Sequence, residues 1–438
     1  MLSALSLVLL TASPQVNVPF ERYALPNGLT VILHSDRRLP MVTVNLWFRV
    51  GSADEVKGRS GFAHLFEHLM FMGTNEVPNG EFDRVMEQAG GTNNASTSED
   101  RTNYFEVGPS NLLETFLWLE GDRLTHLADG MTKAKVDLQR DVVKNERRQS
   151  YENRPYGMTE LLLTEQMYPA GHPYQHPVIG SHADLTAASV EDVKAFFRRH
   201  YVPANASLVI AGDFAPEEAK ALVTKYFASI PRVEAPVRTV PPMVELKKSI
   251  RVTRKDKVQA ERVVMAWLAP AAWTKGDAEL NLLAMVLGEG KSSRLVKSLV
   301  LDQQLASDVE VEFQSLRGPG LFTITGTAQQ GHTAQEVEKA LEAELTKLLA
   351  SPPTEAEVTR ARSLLEVQNL SEMEQVFARA EMLNQMETEL GDPSLVPWAV
   401  TGRYDVLGPT DLAEVARRVL TRPRMTITFL PDTKGGAK

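Results

Sequence analysis

Each half of the chain closes in the same way. Leu185-Thr-Ala-Ala-Ser-Val-Glu-Asp-Val193 precedes a strand ending at Gly212-Asp213. Leu407-Gly-Pro-Thr-Asp-Leu-Ala-Glu-Val415 precedes the strand Met425 to Leu430, which ends at Pro431-Asp432. A helix-then-strand order that recurs this late in a chain marks a duplicated unit. It supports a duplication, and 438 residues exceed what one ordinary core organises, so two domains are the default expectation and three a possibility. Between the halves, Pro231 to Pro242 is rich in Pro, Val and Arg and has little periodicity, so it reads as an extended linker. The expected organisation is a first domain at 16–232, a linker at 233–245 and a second domain at 246–438.

Local patterns fill in both halves. Asn27-Gly28 between Tyr23-Ala-Leu25 and Leu29 to Leu33 signals a hairpin. Val42 to Val50 alternates as a strong strand. Glu81 to Gln88 reads as a helix, Thr92 to Thr97 and Thr102 to Val107 as two short strands, and Pro109 to His126 and Thr132 to Tyr151 as helices. In the second half, Val252 to Leu268 gives strands, and Ala278 to Leu287 and Ser292 to Gln304 give helices. Val309 to Gln314 pairs with Leu321 to Thr327. Ala334 to Leu349 and Glu355 to about Leu390 read as long helices.

The chemistry concentrates in Gly61-Phe-Ala-His64-Leu-Phe-Glu67-His68-Leu-Met-Phe71. On one helix, His64, Glu67 and His68 stand at i, i+3 and i+4 and leave the same face. Phe62, Phe66, Leu69 and Met70 are apolar, so the helix is expected to be largely buried. Two imidazoles and a carboxylate in that setting are costly without a metal ion. Imidazoles one turn apart can share one ion, and catalytic zinc sites take three protein ligands and leave a position open. The chain has no cysteine, so the third ligand must be an acid or another histidine.

Glu146 is the acid of choice. It lies on the stripe Val136, Gln139, Val142, Val143, Glu146, where a solvated glutamate does not belong. The competing reading is a surface ion pair with Arg147 or Arg148. With Glu146 as ligand, Glu67 is free to act as general base on a zinc-activated water. His172 and His176 also stand at i, i+4, but Pro173 and Pro177 prevent a regular helix, so their spacing carries no ligand geometry. His34, His126, His182, His200 and His332 read as ordinary surface or hydrogen-bonded residues.

Charge and hydropathy narrow the setting. The formal net charge is −9 and no basic run offsets it, which argues against a nucleic-acid partner. No segment is apolar for long enough to span a bilayer. Residues 1–15 read as a secretory signal: an apolar run Leu2 to Leu10, then Thr11-Ala-Ser-Pro14, although without a basic n-region. A bacterial envelope location, periplasmic or secreted, follows from that reading.

His64-Leu-Phe-Glu67-His68, followed far downstream by Val142-Val-Lys-Asn-Glu146, resembles the pitrilysin (inverzincin) family of zinc metallopeptidases. The likeness is to its short-chain branch, which includes mitochondrial processing peptidase β subunits and bacterial relatives. Pro26-Asn-Gly-Leu29, His172-Pro-Tyr174, Ile179-Gly180 and Gly288-Glu-Gly-Lys-Ser-Ser-Arg-Leu295 support it. The resemblance implies one Zn2+ per chain on His64, His68 and Glu146, with Glu67 as base. It implies two similar α+β domains, each an antiparallel sheet covered by helices, forming half of a clam that closes around the substrate. It also assigns Asn93, Asn94, Ala95 and Ser96 to a sheet edge that takes the peptide as an added strand; the plain alternative is an edge kept polar against aggregation.

Two departures stand out. Family members often carry a second glutamate seven residues before the ligand glutamate, where this chain has Gln139; its amide can hydrogen-bond a ligand but carries no charge. Double-length relatives supply an Arg and a Tyr from the opposite half, whereas the strand Gly320 to Gly326 here offers neither. The expected partner is therefore a metal-free sister chain in a heterodimer, with a homodimer as the other arrangement. Against the reading as a zinc endopeptidase stand two others: a non-catalytic assembly subunit and a peptide-binding module of the same fold.

Overall fold

Asn27-Gly28 turns the chain as expected. The computed structural model describes residues 16–432, so the expected signal at 1–15 lies outside the described residues. Strand β1 (Glu21–Ala24) returns as β2 (Thr30–Ser35), with Ala24 opposite Thr30 and Gly28 at φ +94°. With β3 (Met41–Phe48), β4 (Thr92–Thr97), β5 (Thr102–Pro109) and β6 (Ala206–Gly212) they make a six-stranded sheet, in the order β1-β2-β6-β3-β5-β4. The second half builds β7 (Ile250–Asp256), β8 (Arg262–Ala269), β9 (Ala306–Gln314), β10 (Gly320–Ala328) and β11 (Met425–Pro431) into a sheet ordered β7-β11-β8-β10-β9. Each sheet is antiparallel except at one pair, β2 with β6 and β7 with β11. In both halves the last strand returns after the helices and inserts beside the first long one. The α+β architecture with two helix-covered sheets, implied by the family resemblance, is what the chain adopts.

Helices α1 (Phe62–Leu69), α2 (Glu81–Ala89), α3 (Leu113–Gly130) and α4 (Lys133–Arg147) line one face of the first sheet. The strand β3 alternates as its pattern demands: Val42, Val44, Leu46 and Phe48 enter the helix-covered core. Its other face is also buried, because the second half supplies a helix to cover it. That helix departs from expectation. The single helix expected from Glu355 to about Leu390 is broken into Glu355–Glu372 and Val376–Gln385. Arg379 donates to the freed carbonyls of Met373 (2.9 Å) and Glu374 (3.1 Å) and reaches Asp36 (2.8 Å). The break turns Ala380, Leu383 and Met386 onto Ile32, Val209 and Ala211 of the first sheet.

The exchange is reciprocal. The helix Met158–Met167 of the first half lays Leu163 and Met167 against Val264, Ala266, Ile427 and Phe429 of the second sheet. Residues 231–249 contain no helix or strand. The stretch Ser292 to Gln304 is only partly helical, as a wide turn over Val296–Asp302. Among the described residues no helix is long and apolar enough to cross a membrane.

Candidate metal centre

Helix α1 begins abruptly at Phe62, behind Gly61 at φ +87°. A Cβ on Gly61 would lie 2.8 Å from Ile179 O, and one on Gly180 would lie 2.4 Å from Gly61 Cα, so two glycine backbones pass in contact. Gly61 has no side chain to cap the helix. The fully buried carboxylate of Glu55 does so instead, accepting from Gly61 N (2.9 Å) and Ala63 N (2.7 Å). Burial pushes the Glu55 carboxyl well above its ordinary range, against the pull of these backbone donors. Phe62, Ala63, Leu65, Phe66 and Leu69 are buried, with Phe66 packed on Phe197 and Tyr201. His64, Glu67 and His68 are left on the opposite, half-buried face.

Glu146 comes to that face from the last turn of α4. Its carboxylate lies 3.7 Å from His64 Nε2 and 3.3 Å from His68 Nε2, and one donor atom from each of the three lies within 4.8 Å of the others. On its stripe, Val136 and Val143 are buried while Val142 is 39% exposed, so the inner face of α4 is narrower than expected. Burial first, then the neighbouring His68, lowers the His64 pKa to about 4, with Glu146 opposing. The hydrogen bond from His68 holds Glu146 below the ordinary carboxylate value in spite of burial. His64 is therefore neutral near pH 7, and its contact with Glu146 is not an ion pair.

Two imidazole nitrogens facing a carboxylate is a donor set awaiting a cation. Tetrahedral ligands at about 2.1 Å from zinc are about 3.4 Å apart, and the two observed separations straddle that value. The residues fit the metal. His64 Nδ1 is buried with no hydrogen-bond partner among the described residues, so the ring is held by packing.

Glu67 stands outside the three-residue cluster. Its Oε2 accepts the Thr97 hydroxyl at 2.6 Å; burial raises its pKa, and this hydrogen bond opposes the rise. Thr97 is the last residue of β4, which among the described residues pairs only with β5 and forms an edge of the sheet. Asn93, Asn94, Ala95 and Ser96 lie on that edge. Asn93 Nδ2 donates to Asp83 (3.2 Å), Asn94 Oδ1 accepts the Ala95 N–H (2.8 Å), and Ser96 donates to Asn103 (2.7 Å). Gln139 lies two turns before Glu146, and its Nε2 donates to Met72 Sδ (2.8 Å), just beyond α1. His172 and His176 sit in a loop, as the prolines require. His172 bonds Pro242 O (2.9 Å), and His176 Nδ1 lies 3.6 Å from Glu55.

Sequence reasoning missed Glu55 and Thr97. A missing Ser, Thr or Asp cap before α1 hinted at the first. No local signal marked the second, because its contact with Glu67 joins a strand to a helix.

A family model described as "Insulinase (Peptidase family M16)" matches residues 30–180, and one described as "Peptidase M16 inactive domain" matches residues 187–365. The zinc protease PqqE of Helicobacter pylori is 32% identical over 368 residues, covering 82% of each chain. The chain belongs to peptidase family M16. This agrees with the pitrilysin resemblance of its motif. Among M16 relatives, the mitochondrial-processing peptidase subunit beta of Blastocladiella emersonii is 24% identical, covering 92% of this chain and 87% of its own. A crystal structure of a Helicobacter pylori protease overlays with a TM-score of 0.87 at 28% identity, over 95% of this chain and all of that one (100%). The Escherichia coli periplasmic protease PqqL shares the fold at a TM-score of 0.77 and 18% identity, with 96% of this chain covering 48% of that one.

Proposed function

We propose that this M16 chain is a zinc-dependent endopeptidase of the bacterial cell envelope, periplasmic or secreted, that hydrolyses peptides or unfolded polypeptide segments. The observation that carries the reading is the convergence of His64, His68 and Glu146, with Glu67 beside them but outside the ligand set. His64, His68 and Glu146 would hold the zinc. Zinc, when bound, supplies a Lewis acid that activates water and polarises the scissile carbonyl.

The chain's own residues do the rest. Glu67 takes a proton from the attacking water and hands it to the leaving amine, and its raised pKa brings it nearer neutrality for both transfers. Thr97 fixes the orientation of that carboxylate. Asn93, Asn94, Ala95 and Ser96 offer main-chain groups to a substrate strand, which would compete with Asn94 Oδ1 for the Ala95 N–H. Gln139 steadies α4 against the end of α1 through Met72.

The domain at 16–232 carries this chemistry; the domain at 246–438, joined by the linker at 233–245, lacks the metal motif. The chain spans about half the length of PqqL, and β10 presents no Arg or Tyr over Gly320 to Gly326. Both support a chamber closed by another chain, a metal-free sister in a heterodimer or a second copy in a homodimer. Peptide cleavage and zinc content of the wild type and Glu67→Gln, alone and with the sister chain, test the reading. Zinc with activity lost in Glu67→Gln is the expected result. Zinc without activity, even with the sister chain, would make the protein a peptide-binding module, and no zinc would make it an assembly subunit.

A further inference from the structure

By composition the linker is a passive tether, yet one of its residues is not free. Arg238 Nε donates to Asp54 Oδ1 (3.0 Å), and its Nη2 donates both to Asp54 Oδ2 (2.7 Å) and to Asp100 O (2.8 Å). The two side chains of this pair are each only 14% exposed. A guanidinium bonded through both Nε and Nη2 fixes the plane of its partner, which a single-point cation cannot do.

Asp54 and Asp100 stand on the two turns that deliver the metal centre. Asp54 ends the turn between β3 and α1, where its Oδ2 also accepts Gly51 N (3.0 Å), and its neighbour Glu55 caps α1. Asp100 lies in the hairpin turn between β4 and β5, three residues past Thr97. The two turns are bonded to each other, Ser52 N to Ser98 O (3.1 Å) and Ala53 N to Glu99 O (2.9 Å). They lie so close that a Cβ on Gly51 would come within 2.4 Å of Glu99 O.

The same junction reaches the second half. The Tyr174 hydroxyl meets the Asp100 carboxylate (2.8 and 3.0 Å) and accepts Gly318 N (3.0 Å). Arg317 N donates to Asp100 Oδ2 (3.0 Å), and Arg317 Nη2 donates to the linker carbonyl of Thr239 (2.8 Å). The His172-Pro-Tyr174 segment, which has no place at the metal, thus has one here.

We propose that Arg238 is a positioning residue of the peptidase site. It sets α1 through Asp54 and Glu55, and it sets Thr97, and through it Glu67, by way of the turn 98–101. The linker thereby registers the metal centre against the second half. This rests on reading the α1–α4 cluster as the peptidase site, where displacements of a fraction of an ångström between reacting groups are costly.

The test compares full-length wild type, Arg238→Gln and Arg238→Lys by hydrogen exchange and by zinc-dependent peptide cleavage, the latter with and without the sister chain. Amide exchange is expected to rise about tenfold in residues 51–61 and 92–101 together, with β3 and β8 unchanged. The kcat is expected to fall about tenfold at unchanged zinc content, with KM much less affected. Lys is expected not to rescue, because it cannot fork; it also serves as the readable variant if Gln does not fold. Exchange that rises only in 231–249, or by one factor throughout the chain, would overturn the proposal, as would an unchanged kcat. A wild type that holds zinc and cleaves nothing, even with the sister chain, would defeat the peptidase reading alone, and the exchange pattern would still decide whether Arg238 couples the two turns.

Discussion

Strand β3 leads into α1, and β8 leads into the helix Asp277–Gly288, at the same step of two sheets whose strand order matches apart from the extra β1. The two helices differ in what they do with polar groups. The second buries Leu280, Leu282, Leu283, Val286 and Leu287, and its acids serve the structure. Glu279 caps Gly276 N (2.9 Å), and Asp277 is held by Arg403 and Ser315 (2.5 Å each). Helix α1 instead leaves His64, Glu67 and His68 facing Glu146 of α4 and Thr97 of β4, and the buried His64 Nδ1 has no hydrogen-bond partner among the described residues. The second half adopts the same sheet-and-helix arrangement with the apolar version of this helix. A fold by itself does not require such a cluster, which supports the proposed role of the polar version in chemistry.

Making α1 resemble its counterpart has the largest expected effect. His68→Leu should weaken zinc binding by more than about 100-fold and abolish cleavage. The melting temperature of the zinc-free protein should move by no more than about 2 °C, because the site adds little to packing. Zinc titration and thermal melts in chelator check this; a large loss of zinc-free stability would mean that the cluster is structural. Leu283→Ala should give the opposite signature. It should cost about 2–5 kcal/mol in denaturant unfolding, because the side chain is fully buried, and leave zinc stoichiometry unchanged.

Thr97→Val sharpens the comparison inside the first half. It removes the hydroxyl that opposes the rise of the Glu67 pKa, so the acid limb of the kcat/KM profile should move to higher pH. Turnover should fall about tenfold with zinc retained.

The smallest effect is a difference in acid sensitivity between the halves. Burial lowers His64 and His200 from 6.5 to about 4, so the unfolded chain binds more protons than the folded one in that interval. First-half stability in chelator should fall as pH drops from 6.5 towards about 4. In the second half, the Arg294 hydrogen bond holds Glu357 at about 2 against 4.5, so its contribution persists above 4.5 and is lost only as pH falls towards 2. Hydrogen exchange against pH, read separately for the two halves, should show the first half loosening first.

Much of this was legible in the residues. Spacing alone put His64, Glu67 and His68 on one face, and an acid on an apolar stripe singled out Glu146. The duplicated ends of the halves pointed to two like units, and the family resemblance to a helix-covered sheet in each. What was not legible depends on contacts distant in sequence. The parallel pairs β2–β6 and β7–β11 join strands separated by whole helical layers. The break at Met373 to Gln375 contains no Pro or Gly, and apolar residues continue across it; it exists because the first sheet has an uncovered face. Glu55 acts as a cap from outside the helix it serves, and Thr97 meets Glu67 only because β4 ends beside α1.

Zinc content, measured side by side on the wild type, Glu67→Gln and Glu146→Gln, tests the division of labour at the site most directly. The account predicts one zinc per chain in the wild type and in Glu67→Gln, and its loss from Glu146→Gln on dialysis. Glu146→Gln holding zinc as firmly as the wild type, or a wild type that takes up none, would contradict it.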